Sequence, residues 1–124
     1  NLHKLIANLQ ITEPLGYLDM VMLEKKANLI ITDSGGIQKE AYFQGTPCVT
    51  IREETEWVEL IDTGWNKLAD PNNEDAIVES IYNQLNFQLS QPRPNLYGDG
   101  FSAKTIISKL LSYFNLQNNL KINL

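Results

Sequence analysis

Apolar and polar residues alternate along the chain in short blocks whose spacing switches between strand-like and helix-like. Leu18, Val21, Met22 and Lys25 recur at helical spacing, and Lys25-Lys26 suits the negative C-terminal end of that helix. The apolar run from Asn28 predicts a buried strand over Leu29–Thr32, and Gly36–Gln44 reads as the next helix, with Gly45 as its stop and Pro47 two residues later. A strand over Cys48–Ile51 follows, then a charged loop, a short helical turn over Trp57–Asp62 ending at Gly64, and a strand over Asn66–Ala69. The turn Asp70-Pro71-Asn72-Asn73 is suited to cap a helix whose buried stripe is Ile77, Ile81, Tyr82 and Leu85. Phe87–Gly100, with two Pro and two Gly, reads as a loop before a last helix marked by Ala103, Ile106, Ile107, Leu110, Leu111 and Phe114. Near the start, Asn8–Thr12 is a further strand candidate closed by Glu13-Pro14-Leu15-Gly16. Leu2, Leu5 and Ile6 resemble the end of a helix that begins earlier, so a fragment of a longer protein is expected. Residues 115–124 read as a polar, Asn-rich tail.

Strands alternating with helices imply a parallel sheet with right-handed crossovers, an α/β arrangement. Four strands fit the chain, against six in a complete doubly wound sheet, so the pattern reads as the C-terminal half of a Rossmann-like domain with flanking helices.

Composition narrows the classes. At 124 residues the chain is one domain or part of one, with 43% apolar and 20% charged residues, as in a globular protein. A net charge of −5 argues against a nucleic-acid partner, and no apolar run approaches the roughly 20 residues of a membrane span. The single cysteine, Cys48, cannot form an internal disulfide, which fits a cytoplasmic location. It sits in the strand Pro47-Cys48-Val49-Thr50-Ile51 with no His nearby and reads as a small buried hydrophobe.

The candidate chemistry lies in Thr32-Asp33-Ser34-Gly35-Gly36-Ile37-Gln38-Lys39-Glu40. A strand running through Ser-Gly-Gly into a helix aims bare backbone N–H groups at the positive helix end, a cradle for a phosphate. Gly36 and Glu40 share a helix face, so a ligand can lie over Gly36 while the Glu40 carboxylate accepts ribose hydroxyls. Ser34 to Glu40 spans roughly 9 Å of helix rise, about the length of a diphosphate plus a ribose. The alternative is that Asp33 or Ser34 is a plain helix cap and the glycines make a tight turn; neither a Walker A loop nor a GxGxxG fingerprint is present. In the loop Arg52-Glu53-Glu54-Thr55-Glu56, Arg52 is either a phosphate partner or an ion-pair partner of Glu53 or Glu56, and Thr55 is a candidate donor to phosphate. Asp99 is suited to cap the final helix, His3 has no assigned role, and Trp57 and Trp65 read as packing residues.

These motifs, with Gly45-Thr46-Pro47, Glu59, Glu13-Pro14-Leu15-Gly16-Tyr17 and Asn95-Leu96-Tyr97-Gly98-Asp99-Gly100 in the same order, resemble the non-hydrolysing UDP-N-acetylglucosamine 2-epimerases. The resemblance covers all but the residues after Phe114. It implies the C-terminal part of a GT-B architecture, an isomerase that interconverts UDP-GlcNAc and UDP-ManNAc by eliminating and re-adding UDP, and a role in surface polysaccharide synthesis. Carried over by motif, Ser34 and Gly36 would hold the diphosphate, Glu40 the ribose, and Leu15, Tyr17 and Met20 would lie along the uracil, with Gly35 and Gln38 counted among the substrate-binding residues. Arg52, Thr55 and Glu56 would line the diphosphate and hexose. Where the family often has Glu-Arg-Pro-Glu, this chain has Glu56-Trp57-Val58-Glu59, which shifts phosphate contact toward Arg52. The family's catalytic acids and His lie on segments outside these residues, so no catalytic residue is assigned. No cofactor or metal is expected. The expected partners are a UDP-sugar and the N-terminal domain of the same protein, with neither nucleic acid nor membrane, and the full-length protein is expected to be a homodimer. A GT-B glycosyltransferase domain and a non-catalytic nucleotide-binding module are the competing readings.

Overall fold

Cys48-Val49-Thr50 carries no polar alternation, and the structure explains why: it is the middle strand of a parallel sheet and is covered on both faces. The computed structural model describes residues 6–86 and 93–121, without the side chains of 116–121. They fall into two units, Asn1–Gln91 and Pro92–Leu124. In the first unit the order is α1 (Tyr17–Lys26), β1 (Ile30–Thr32), α2 (Gly35–Gln44), β2 (Cys48–Ile51), α3 (Val58–Asp62), β3 (Asn66–Ala69) and α4 (Glu74–Leu85). The sheet order is β1-β2-β3, all parallel, with Ile30 opposite Cys48 and Cys48 opposite Asn66. This is the Rossmann-like α/β class that the alternation predicts.

Asn8–Thr12 is irregular rather than a strand, with Leu9 and Ile11 exposed. An extended segment persists as a strand only against a ladder partner, and none faces it among the described residues. Among the described residues the sheet therefore has three strands, where the sequence suggests four.

The core centres on Ala41, Val49 and Leu60, with Tyr42 packed edge-on against Trp65 at 5.6 Å between ring centroids. Gly45 ends α2 in the left-handed conformation at φ 77°, as expected of a helix-stopping glycine. Asn73 caps α4 by accepting from the Ala76 N–H at 3.0 Å.

Helix α4 corrects the predicted stripe. Tyr82 and Leu85 are exposed, while Ser80 and Gln84 are buried. Gln84 Nε2 donates to the carbonyls of Cys48 and Gly64, each at 3.1 Å, so the amide satisfies two main-chain oxygens that no aliphatic chain could satisfy. That bond turns the inward face one residue away from Leu85.

In the second unit, α5 spans Ser102–Lys121 and includes residues assigned from sequence to the polar tail. Its apolar stripe, Ile106, Ile107, Leu110, Leu111 and Phe114, is exposed to solvent. Asp99 caps differently from the expectation: its Oδ1 accepts from the Phe101 N–H at 3.0 Å, in a turn just before the helix. Gly98 and Gly100 take φ of 85° and 84°, which only glycine adopts readily. His3 and the helix remnant at Leu2 and Leu5 lie outside the described residues, as do residues 87–92 of the loop.

Candidate functional site

Because β1 and β2 are parallel neighbours, the turn after β1 and the loop after β2 leave the same edge of the sheet. Ser34 closes the first. It sits in extended conformation as the cap of α2, its N–H donating to Thr32 Oγ1 at 3.0 Å. Its hydroxyl accepts from the Ile37 N–H only at 3.5 Å, a loose bond that leaves the oxygen open to another partner. Gly35 and Gly36 are the first helical residues, whose N–H groups have no partner within the helix. A Cβ placed on Gly36 would stand 3.9 Å from both Glu40 Oε1 and Ser34 Oγ. The hydroxyl and the carboxylate therefore flank one bare patch of backbone.

The loop after β2 closes over Gly35. A Cβ there would run into the Glu56 carboxylate, and Arg52 Nη1 would lie 3.8 Å away. Arg52 Nη1 meets Glu56 Oε2 at 3.1 Å, the ion-pair alternative raised by the sequence. Both side chains are partly exposed, so the pair contributes at most about 1 kcal/mol and yields readily. Thr55 does not point its proton outward as expected of a phosphate donor: its hydroxyl donates to Gln38 Oε1 at 2.6 Å and accepts from the Trp57 N–H at 3.1 Å.

Gln38 lies behind the cradle, wholly buried. Its Nε2 donates to the Ser34 carbonyl at 3.3 Å, and its Oε1 also accepts from Asn66 Nδ2 at 2.9 Å. Asn66 Oδ1 in turn accepts from Thr50 Oγ1 at 2.9 Å. One amide thus joins β3, β2, the loop and the cap of α2. Trp57, read from sequence as a packing residue, does more than pack. Its Nε1–H donates to the Gly35 carbonyl at 2.8 Å, and Lys39 Nζ lies 4.1 Å above its ring. Its signal in the sequence was its place in the loop at the carboxyl end of β2, the edge where ligands bind.

Comparison with known proteins decides the lineage. Residues 1–111 match the family model described as UDP-N-acetylglucosamine 2-epimerase. The chain belongs to that family. It is 47% identical over 103 residues to the UDP-N-acetylglucosamine 2-epimerase homolog of Methanococcus maripaludis, covering 83% of this chain and 28% of the relative. It is 46% identical over 101 residues to the UDP-2,3-diacetamido-2,3-dideoxy-D-glucuronate 2-epimerase of Pseudomonas aeruginosa, covering 82% and 28%. The crystal structure of the Methanocaldococcus jannaschii UDP-GlcNAc 2-epimerase in complex with UDP-GlcNAc and UDP superposes with a TM-score of 0.73 at 38% identity, covering 90% of this chain and 30% of that one. The chain thus spans less than a third of the length of these relatives.

Within this epimerase-family chain, the three residues matched to the uracil side separate. Met20 lines an open apolar hollow of about 190 Å³ with Leu23, Ala27, Ile30 and Ile37, whereas Leu15 and Tyr17 face solvent. Cys48 is buried, and burial pushes its thiol up to about 11, opposed by a weaker contact with Thr50, which fits an inert side chain. Among the described residues no group of three or more His, Cys, Asp or Glu is placed to hold a metal ion, and no helix is long and apolar enough to cross a membrane.

The sequence reading missed Glu24. It is 4% exposed on α1, and both carboxylate oxygens are buried without a donor group against them. Burial first, and then the negative charge of nearby Glu40, raise its pKa above the ordinary carboxylate value.

Proposed function

We propose that this chain is the UDP-holding part of a UDP-N-acetylglucosamine 2-epimerase. The observation that carries the reading is the convergence of Ser34 Oγ and Glu40 Oε1 over the bare backbone of Gly36, at the positive end of α2. The Gly35 and Gly36 N–H groups and the Ser34 hydroxyl bind the diphosphate, and Glu40 accepts both ribose hydroxyls. Met20 meets the uracil, with Leu15 and Tyr17 closing on it from the segment before and at the start of α1. Glu56, whose carboxylate now covers Gly35, swings away when the diphosphate enters and releases Arg52 to pair with it. Gln38 and Thr55 hold the cradle in shape from behind.

Two relatives named for different hexoses match this chain almost equally, at 47% and 46% identity. That supports assigning the uridine diphosphate, which both names share, to these residues, and the choice of hexose to the rest of the protein. In the reaction, a proton leaves C2 as the C1–O bond to UDP breaks, giving a glycal. UDP then re-adds at C1 and a proton returns to the opposite face of C2. The residues of this chain hold the departing UDP in place for its return, while the acid and base come from the remaining two thirds of the protein, so this part alone is inactive.

The test is to incubate the full-length protein with UDP-GlcNAc in deuterated buffer and follow the sugar by proton NMR. Inversion with deuterium at C2, without any acceptor, is expected. Consumption of the sugar only when an acceptor is supplied would instead mean a glycosyltransferase.

A further inference from the structure

Trp57 stands where this chain departs from the Glu-Arg-Pro-Glu pattern, and the reading above gives it no part in binding. A trans peptide unit carries its carbonyl and its N–H at opposite ends of one rigid plane, so a group bonded to the carbonyl also fixes where the N–H points. The Gly35 carbonyl and the Gly36 N–H are the two ends of one such unit. The Ser34 carbonyl and the Gly35 N–H are the ends of the unit before it. Both carbonyl ends are held by side-chain donors. Trp57 Nε1 donates to the Gly35 carbonyl at 2.8 Å, and Gln38 Nε2 donates to the Ser34 carbonyl at 3.3 Å. Thr55 ties the two donors together, giving its proton to Gln38 Oε1 at 2.6 Å and accepting from the Trp57 main-chain N–H at 3.1 Å. Lys39 Nζ, 4.1 Å from the centroid of the Trp57 ring, steadies the indole face by cation–π attraction. Linked hydrogen bonds polarise one another, so donation to the carbonyl of a peptide unit strengthens its N–H as a donor.

We propose that Trp57 is a positioning residue for the diphosphate: its indole N–H fixes and polarises the Gly35–Gly36 peptide unit so that the Gly36 N–H meets a phosphate oxygen. The proposal rests on the reading of Ser34-Gly35-Gly36 as the diphosphate cradle. Gly36 is exposed while Gly35 and Trp57 are half-buried, so the unit is held from within the fold and remains accessible at Gly36. Two glycines in succession give the chain its widest freedom to tilt and offer no side chain to steady it. The indole supplies that rigidity from the loop after β2. A dipole fixed beforehand needs no reorganisation when the charge arrives, so the phosphate is bound without first ordering the backbone. The benefit falls on ligands that carry phosphate. The ribose and the base, met by other residues, are spared.

The test titrates the full-length protein with UDP and with uridine and reads the ratio of the two affinities. Trp57→Phe keeps an aromatic ring beneath Lys39 and removes the N–H. Its UDP affinity is expected to fall by about tenfold while its uridine affinity stays within about twofold of the parent. In a second protein Trp57 is replaced by benzothienylalanine, whose ring keeps nearly the shape of indole with sulfur in place of the N–H. The same selective loss is expected there, and this isostere decides if the two variants disagree. In isotope-labelled protein the Gly36 amide proton is expected to resonate further upfield in both variants, as a less polarised N–H does, and to move less when UDP is added. If UDP and uridine weaken together in the isostere, Trp57 only braces the loop and the proposal is overturned. An isostere with the parent's preference for UDP overturns it equally and leaves the cradle reading intact. A parent that binds UDP no tighter than uridine removes the cradle reading itself, and the role of Trp57 falls with it.

Discussion

Gln38 is the side chain whose removal should be felt most widely, because one amide serves three partners. Gln38→Leu keeps the volume and removes every bond. Asn66 is 2% exposed, so its Nδ2 would be left without either Gln38 or water, at a cost of roughly 1–3 kcal/mol. Thr55 and the Ser34 carbonyl are partly exposed and recover some solvent, so each loses roughly 0.5–1 kcal/mol. The sum is about 3 kcal/mol, a large part of the roughly 5–15 kcal/mol that keeps a typical domain folded. Urea unfolding reads it directly: at a slope of about 2 kcal/mol/M the midpoint should fall by about 1.5 M with the slope unchanged. Replacing Asn66 by Leu as well removes the stranded donor, so the double variant should be less destabilised than the two single losses summed, by about 1 kcal/mol. A Gln38→Leu protein within about 0.5 kcal/mol of the parent would refute the view that this network braces the cradle.

Other consequences are as sharp. Gly36→Ala should leave stability unchanged or raise it by up to about 1 kcal/mol, since the added Cβ meets nothing nearer than 3.9 Å, yet weaken UDP binding by about tenfold because the methyl occupies the ligand's approach. Cys48 should resist a thiol reagent at neutral and mildly alkaline pH, its thiol being held up to about 11, and react only on unfolding in urea; prompt labelling of native protein would contradict its burial. Glu24 binds a proton more tightly when folded than when unfolded, so its contribution is fully present below the ordinary carboxylate pKa and is lost as pH rises through its raised value. Thermal melts of Glu24→Gln against the parent should accordingly diverge with rising pH, the variant becoming relatively more stable.

The sequence exposed the parts of the fold governed by local rules. Gly45 stopped α2, Asn73 capped α4, and the apolar pattern of Cys48–Ile51 marked a strand. Ser34, Gly35, Gly36 and Glu40 were legible as a group because helical spacing alone puts Gly36 and Glu40 on one face. What stayed hidden depends on partners far away in sequence. Gln84 displaced Leu85 from the interior because it meets carbonyls 36 and 20 residues away, which no helical period encodes. Thr55 turned inward for the same reason, drawn to Gln38, and Asn8–Thr12 failed as a strand for want of a ladder. Glu24 was invisible in a helix read by its apolar stripe, since a charged residue there looks like a solvated one until the opposing Glu40 is known.

The central claim is that Glu40, with the backbone of Ser34-Gly35-Gly36, grips the ribose and diphosphate of UDP. The most direct measurement is a calorimetric titration of UDP into the protein and into Glu40→Ala at one pH. Saturable binding by the parent, weakened by about tenfold or more in the variant while its unfolding midpoint is unchanged, is the expected result. Equal affinity in the two proteins would contradict it.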